Sequence, residues 1–434
     1  MFNELDFERE YQEKAIEQFL EKLQVIERKV GMEVQAQGWK YVKTAQRTVI
    51  FTFGEMTFSR KCYRRNHEYR YPVDEALGLP QYTRFSMELL LQIAELATKM
   101  PYREVAKTYE LLKDIHITKD TVLKAVNLAG KYYKEKEEYR LLSKKNSVTR
   151  EKVSVLYVEG DGISIKTKRK EESRVDLAHF LIHKGCKEKY RGRNQLIDKH
   201  EIISSSNKKA REEVIDYIYN HYEIDKNTLI ITNSDMGTGY TPYVFKEIAG
   251  SFSAKHIHFW DRFHLHEKVK EFFKRYDSVL YQRFFHALTV HSKKEARLVL
   301  DTIESMIEGE EEQIRFDAFS RKILKEFYYT KSPKQYGFSG SGIGVMESQQ
   351  SKIANRMKKR GMYWSLDGGE TMSKMIIDIK QNQLRELFFG KWREEYLRIE
   401  KLEATRRYLK KGVHEKFPSK IQVSRVEKWY KYDF

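Results

Sequence analysis

Cysteine is almost absent: the 434 residues contain two, Cys62 and Cys186, in unrelated contexts. Two isolated thiols exclude a cysteine-rich zinc site and make a disulfide framework unexpected, as for a chain kept in a reducing compartment. No window approaches eighteen consecutive apolar residues, so a membrane-spanning helix is not expected and no membrane partner follows. The opening stretch, MFNELDFEREYQEKAIEQFLEKL, is acidic and amphipathic. It lacks the basic start and apolar middle of a signal peptide, and the expectation is a soluble protein. Neither a G-x-S-x-G elbow, a Walker loop nor a dinucleotide fingerprint occurs, which argues against a small-molecule enzyme of those types. No internal repeat or low-complexity tract stands out.

Positive charge and aromatic rings are plentiful. Lys and Arg number 81 against 63 acidic residues, a formal charge of +18 and a pI near 9.4. That balance points to a polyanionic partner, most often nucleic acid, with an anionic membrane surface the weaker option. Aromatic residues make up 13% of the chain, 28 of them Tyr, and supply stacking surfaces as well as core. The length allows two to three domains.

The pattern begins helical. Residues 4–31 carry Phe7, Tyr11, Ile16, Phe19, Leu20, Leu23 and Ile26 roughly on one stripe. Thr48 to Tyr63 reads as a hairpin, two β-rich runs around Gly54. Residues 86–136 change to helical period. One helix is expected over about 86–99, a second from Tyr102, and a third capped by Thr118 or Asp120 with Val122, Ala125, Val126 and Ala129 on one face. This suits a helix-turn-helix whose third helix enters a major groove; a plain helical bundle has the same pattern. The polar stretch 137–152 marks the expected domain boundary.

Beyond it, strands are expected at 153–167, 175–183 and about 195–205, then a helix at 207–222 and a strand at 228–232. A helix near 242–249, a strand at 254–260 and a helix from Asp261 follow, and 278–330 is helical and charged throughout. Three antiparallel strands followed by βαβ alternation make a mixed α/β sheet with helices on its faces.

The stretch VSVLYVEGDGISIKT, Val153–Thr167, is the centre of the functional reading. It places Asp161 between two glycines inside an apolar run, where a carboxylate is costly unless something positive faces it. The glycines leave room for a ligand or another backbone. Asp235 follows the 228–232 strand, at the strand end where ligands gather in parallel sheets. Glu347 lies near the start of a helix opened by Gly342 and Gly344. Pairing Asp161 with Asp235 requires the two strands to be neighbours, as in the three-plus-two strand order of the ribonuclease H fold. Two aspartates and a glutamate suit hard divalent cations, which activate a water or 3′-hydroxyl on one side of a phosphorus and stabilise the leaving oxygen on the other. Glu159 shares a face with Asp161 and could be the ligand instead.

The motifs EGDG, NSD, DRFH and ME, followed by NRMKKRGMYWS, resemble those of the DDE-type transposases of bacterial insertion sequences. The resemblance is to the ISLre-type elements, distantly akin to the Mutator-like group, and it covers nearly the whole chain. It implies a ribonuclease H-like core interrupted by a helical insertion. The spacing agrees, with 74 residues from Asp161 to Asp235 and 112 from Asp235 to Glu347. Under the resemblance Asp161, Asp235 and Glu347 are the catalytic metal ligands, holding two Mg²⁺ or Mn²⁺ ions. The Asp261-Arg-Phe-His264 motif adds His264 as an auxiliary catalytic group and Asp261 beside it. His258 and His266 read as structural. The implied partners are double-stranded DNA, namely terminal inverted repeats and target, and a second copy of the chain on that DNA. The implied location is the nucleoid of a bacterial cytoplasm.

The segments then expected are an N-terminal helix and hairpin region at 1–85, a DNA-binding helical region at 86–150 and a catalytic core at 151–275. A helical insertion at 276–338, the Glu-bearing part of the core at 339–390 and a basic tail at 391–434 complete the chain. Arg356, Lys358, Lys359 and Arg360 are expected to track phosphates, with Tyr363 and Trp364 available to stack on a base. The tail, with Trp429, Tyr430 and Tyr432, is expected to contact DNA.

Overall fold

The computed structural model describes residues 2–142, 150–167, 173–338 and 342–402. The chain opens with α1 (Glu4–Ala36), followed by strands β1 (Lys40–Phe51), β2 (Gly54–Arg65) and β3 (Glu68–Arg70) and the short α2 (Pro72–Ala76). The hairpin turns at Gly54, whose φ of 128° only glycine adopts readily. Leu23 of α1 meets Val49, Phe51, Met56 and Phe58 of the strands and Val73 of α2 in a small separate core. Beside it, buried Asp74 pairs with Arg47 and Arg60.

Helices α3 (Met87–Ala97), α4 (Tyr102–Lys113) and α5 (Lys119–Leu142) follow. Asp114 ends α4 in the left-handed region. Thr118, rather than Asp120, caps α5, its hydroxyl accepting from the Thr121 amide at 3.3 Å. The small-residue face of α5 is turned wholly inward: Val122, Ala125, Val126 and Ala129 are buried. Arg140, expected in a linker, belongs to α5 instead.

A two-stranded pair, β4 (Glu151–Lys152) with β10 (Tyr222–Glu223), flanks the central sheet. The sheet contains β5 (Val155–Lys166), β6 (Arg174–His183), β9 (His200–Ser204), β11 (Leu229–Ser234) and β12 (Lys255–Trp260). Between β6 and β9 a hairpin stands apart, formed by β7 (Cys186–Tyr190) and β8 (Arg193–Leu196). The single strand expected over 195–205 is therefore two pieces, broken where Asp198 takes a φ of 51°. The sheet order is β12-β11-β5-β6-β9. β5 and β6 pair antiparallel, as do β6 and β9, whereas β11 runs parallel to both β5 and β12.

Alternation along β5 sends Leu156 and Val158 to one side of the sheet, where they pack on α6 (Asn207–His221) and α7 (Pro242–Gly250). Ile163 and Ile165 face the other way. They join a larger core containing Ile353 of α12 (Met346–Met357), Met375 of α13 (Leu366–Lys380) and Leu387 of α14 (Leu384–Phe389). Leu89, Ile93, Val105 and the inward face of α5 belong to that same core. The helical region at 86–142 and the sheet are thus one packed body, and no break in packing marks the boundary read from composition. Each fully buried aliphatic side chain of this kind contributes about 1.5–3 kcal/mol.

Helices α8 (Arg262–Phe273), α9 (Ser278–Thr289), α10 (Lys293–Glu304) and α11 (Glu310–Lys325) lie between β12 and α12. They close around Phe273, Phe284, Leu300 and Phe316, a core of their own. Among the described residues no helix is long and apolar enough to cross a membrane.

Candidate active site

The parallel register of β5 and β11 pairs Gly160 with Ser234. The next residue on each strand is an aspartate, so Asp161 and Asp235 stand side by side. Their proximity is felt electrostatically. Burial, and then the negative charge of Asp235, push the Asp161 carboxyl up to about 6, while its own hydrogen bonds and His264 pull the other way. The Asp161 carboxylate accepts the Gly162 amide at 2.6 Å and the Gln350 side-chain amide of α12 at 2.9 Å.

Asp235 opens a tight turn. Its Oδ1 accepts the Gly237 amide at 2.8 Å, and Met236 between them sits at a φ of 69°. Two lysines, from α8 and α11, brace the turn: Lys268 donates to the Asp235 carbonyl and Lys322 to the Met236 carbonyl. The Lys268 ammonium brings positive charge toward Asp235. Burial lowers the pKa of Lys268, and Asp235 opposes that.

Asp261 follows β12 and caps α8. One of its oxygens accepts the His264 amide at 3.0 Å and faces His264 Nδ1 at 2.9 Å. A carboxylate on Nδ1 fixes the imidazole orientation and leaves Nε2 as the outward nitrogen. The other Asp261 oxygen lies 2.9 Å from where a Cβ on Gly344 would stand, and Gly344 sits at a φ of 73°, a conformation that favours glycine.

Glu159 is not beside the aspartates in role. It is 1% exposed and accepts the backbone amides of Gly344, Val345 and Met346 at 2.8, 2.9 and 3.0 Å. Those are donors that the start of α12 leaves without helical partners. A carboxylate on a strand therefore caps a helix 185 residues away. Burial still dominates its ionisation and raises it to about 8, with Asp261 adding to the shift.

Glu347 lies in the first turn of α12 and is exposed. Gln350, one helical turn on and on the same face, is the residue that reaches Asp161. Among the described residues no group of three or more His, Cys, Asp and Glu side chains is gathered closely enough to hold a metal ion. Two aspartates thus approach one another, with Glu347 outside the pair. The donor chemistry nonetheless suits a hard cation. Two crowded carboxylates, one raised by burial and then by the other's charge, would be relieved by a cation between them.

The chain belongs to protein family UPF0236. That family's model, described as an uncharacterised protein family, matches residues 3–394, which takes in every element from α1 to α14. The chain is also similar to the "UPF0236 protein in vanSb 3'region" of Streptococcus gallolyticus. The two are 28% identical over 375 residues, which is 85% of this chain and 80% of that protein.

Two residues expected on a DNA-facing surface of this UPF0236 protein lie elsewhere. Arg356 is 3% exposed, and its guanidinium donates to the carbonyls of Ala97 and Met100 at 2.9 and 3.0 Å. It ties α12 to the α3–α4 corner, and burial lowers its pKa to about 10. Trp364 is buried as well. Its amide donates to the Lys166 carbonyl, extending β5, and its indole N–H donates to the Met357 carbonyl. Neither can meet a phosphate or a base as the structure stands. Lys358, Lys359, Arg360 and Tyr363 are exposed, with Arg360 donating to the Lys99 carbonyl. Trp429, Tyr430 and Tyr432 of the expected tail lie outside the described residues.

Gly160 also departs from expectation. A Cβ there would come within 2.9 Å of the Phe180 and Tyr240 rings, so the space is filled by core, not left for a ligand. His258 is buried, as read, and bonds Thr232. Gln350, Glu159 as a cap, Lys268 and Lys322 were missed as site residues. Gln350 alone carried a signal, standing three residues after Glu347 on a helix.

Proposed function

We propose that this protein is a transposase that binds the terminal inverted repeats of an insertion sequence, cleaves DNA strands there and joins the freed ends to target DNA. The observation that carries the reading is the register that sets Asp161, midway along β5, beside Asp235, just past the end of the neighbouring parallel strand β11. The strand order supports it, since β9-β6-β5-β11-β12 with only β6 reversed agrees with the order expected of a ribonuclease H-like core. The helical insertion between Asp235 and Glu347 and the net charge of +18 agree with it.

Asp161 and Asp235 would hold Mg²⁺ or Mn²⁺, two ions with Glu347 as the further ligand, from the first turn of α12. Such ions supply a Lewis acid and an activated hydroxyl at the scissile phosphate. The chain's own residues do the rest. Gln350 orients the Asp161 carboxylate, and Lys268 and Lys322 hold the Asp235 turn. Asp261 fixes His264 so that its outward nitrogen can exchange a proton with a leaving or attacking oxygen. A dimer on DNA follows from the need to process two ends together.

The test is strand cleavage and joining on a labelled element-end duplex with a target plasmid, in Mg²⁺ or EDTA, beside Asp235→Asn and Glu347→Gln. Metal-dependent nicking with a joined product, lost in Asp235→Asn, is expected. Nicking without joining would make the protein a ribonuclease H-like nuclease or resolvase. Salt-sensitive binding without cleavage under any metal would leave a DNA-binding protein and overturn the catalytic reading.

A further inference from the structure

The β7–β8 hairpin projects from the sheet between β6 and β9, and both strands are exposed along nearly their whole length. A bare two-stranded ribbon gains little from its own burial, so its sequence is free to serve a partner. Lys187, Lys189, Arg191 and Arg193 all lie on it and all are exposed. Its one acid, Glu188, is exposed too and accepts the Gly192 amide at 2.9 Å, closing the turn at a glycine with φ 74°. Among the described residues none of the four cations has an ion-pair partner; Lys189 lies over the Tyr190 ring, itself 64% exposed.

The root of the ribbon, unlike its tip, is firmly held. Across it the Lys184 amide donates to the Ile197 carbonyl at 3.0 Å, and the Ile197 amide donates to the Gly185 carbonyl at 2.9 Å. His183 stacks on Tyr157 of β5, with ring centres 4.9 Å apart. The approach to α12 lies against the same root: a Cβ on Gly342 would stand 3.6 Å from the Cys186 amide and sulfur. On the return side, Lys199 donates to Gln349 of α12 at 2.8 Å. The ribbon is therefore anchored to the helix that carries Glu347 and Gln350.

We infer that the β7–β8 ribbon is an arm that grips duplex DNA, laying these four cations along the phosphates of the duplex whose reacting strand enters the carboxylate face. A two-stranded ribbon is of a width that B-DNA's major groove admits, and charge complementarity selects phosphate over a neutral or acidic partner. The inference rests on the nucleic-acid reading above and assigns its contact to a particular element.

The test uses the full-length chain and a fluorescent 30-base-pair duplex of random sequence, with affinity measured by anisotropy over a series of KCl concentrations. The arm variant is K187A/K189A/R191A/R193A. The control, K208A/K226A/K246A/K255A, removes equal charge from exposed positions elsewhere on the body. Each phosphate contact contributes about 0.9 to the slope of log K against log salt. The arm variant is expected to lose roughly 2 to 4 from that slope and to bind at least about tenfold more weakly at low salt, with the control close to wild type. Unchanged circular dichroism checks the fold of both. A wild-type slope retained in the arm variant, or equal losses in arm and control, would overturn the arm while leaving the DNA reading intact. Failure of the wild type to bind any duplex would overturn both.

Discussion

Replacing Glu159 by Gln tests whether burial or the helix terminus governs the carboxylate that anchors α12. Its ionisation is raised from 4.5 to about 8 although three backbone amides point at it. Between those two values the folded protein holds a proton that the unfolded chain has released, so stability falls as pH rises through the window and levels off above about 8. A shift of that size amounts to on the order of 5 kcal/mol, lost at about 1.4 kcal/mol per pH unit. Gln keeps the shape and removes the titration. One of its amide hydrogens must face a backbone N–H, a mismatch costing about 1–3 kcal/mol that does not vary with pH. Denaturation midpoints in urea, taken for both proteins from pH 5 to pH 9, are therefore expected to show wild type ahead near pH 5. The difference should then move steadily toward the variant as pH climbs. Parallel curves, with Gln less stable by the same amount throughout, would refute the reasoning. They would mean that the helix terminus keeps Glu159 ionised despite its burial.

Other substitutions separate packing from surface chemistry. Arg356→Ala leaves the Ala97 and Met100 carbonyls without their donor and should destabilise by about 2–4 kcal/mol. The salt slope of DNA binding should stay unchanged, and a thermally normal protein with a reduced slope would contradict the burial assigned to this guanidinium. Gly160→Ala drives a methyl into Phe180 and Tyr240 and should cost about 1–3 kcal/mol. Gly162→Ala meets nothing closer than 3.7 Å and should be nearly neutral, a contrast read from thermal melting of the two variants.

Much of the fold was legible in the chain. Alternation marked β5, short apolar β-rich runs marked β6, β11 and β12, and the 3.6-residue period marked α1 and α3 to α5, because these signals come from which residues of an element are apolar. The placement of Asp161 inside one apolar β-branched run and of Asp235 after another came from the same local pattern. Ends of elements were less legible: β1 begins at Lys40, eight residues before the run that announced it, because its early residues are exposed and polar.

What only the packed molecule decided were the roles of polar side chains. Glu159 and Asp161 are equivalent by period, and the choice between them rests on three amides of residues 344–346, brought to β5 by the docking of α12. Arg356 reads as one more member of a basic run. Its carbonyl partners are 259 and 256 residues distant, so nothing near it in the chain distinguishes it from exposed Lys358 and Lys359. The same holds for the face of α5, whose small residues suit a groove in DNA and a helix interface equally. The packing of α13 and α14 made it part of the core. Local sequence sets which residues share a face; which neighbour that face meets is settled by contacts between segments far apart in the chain.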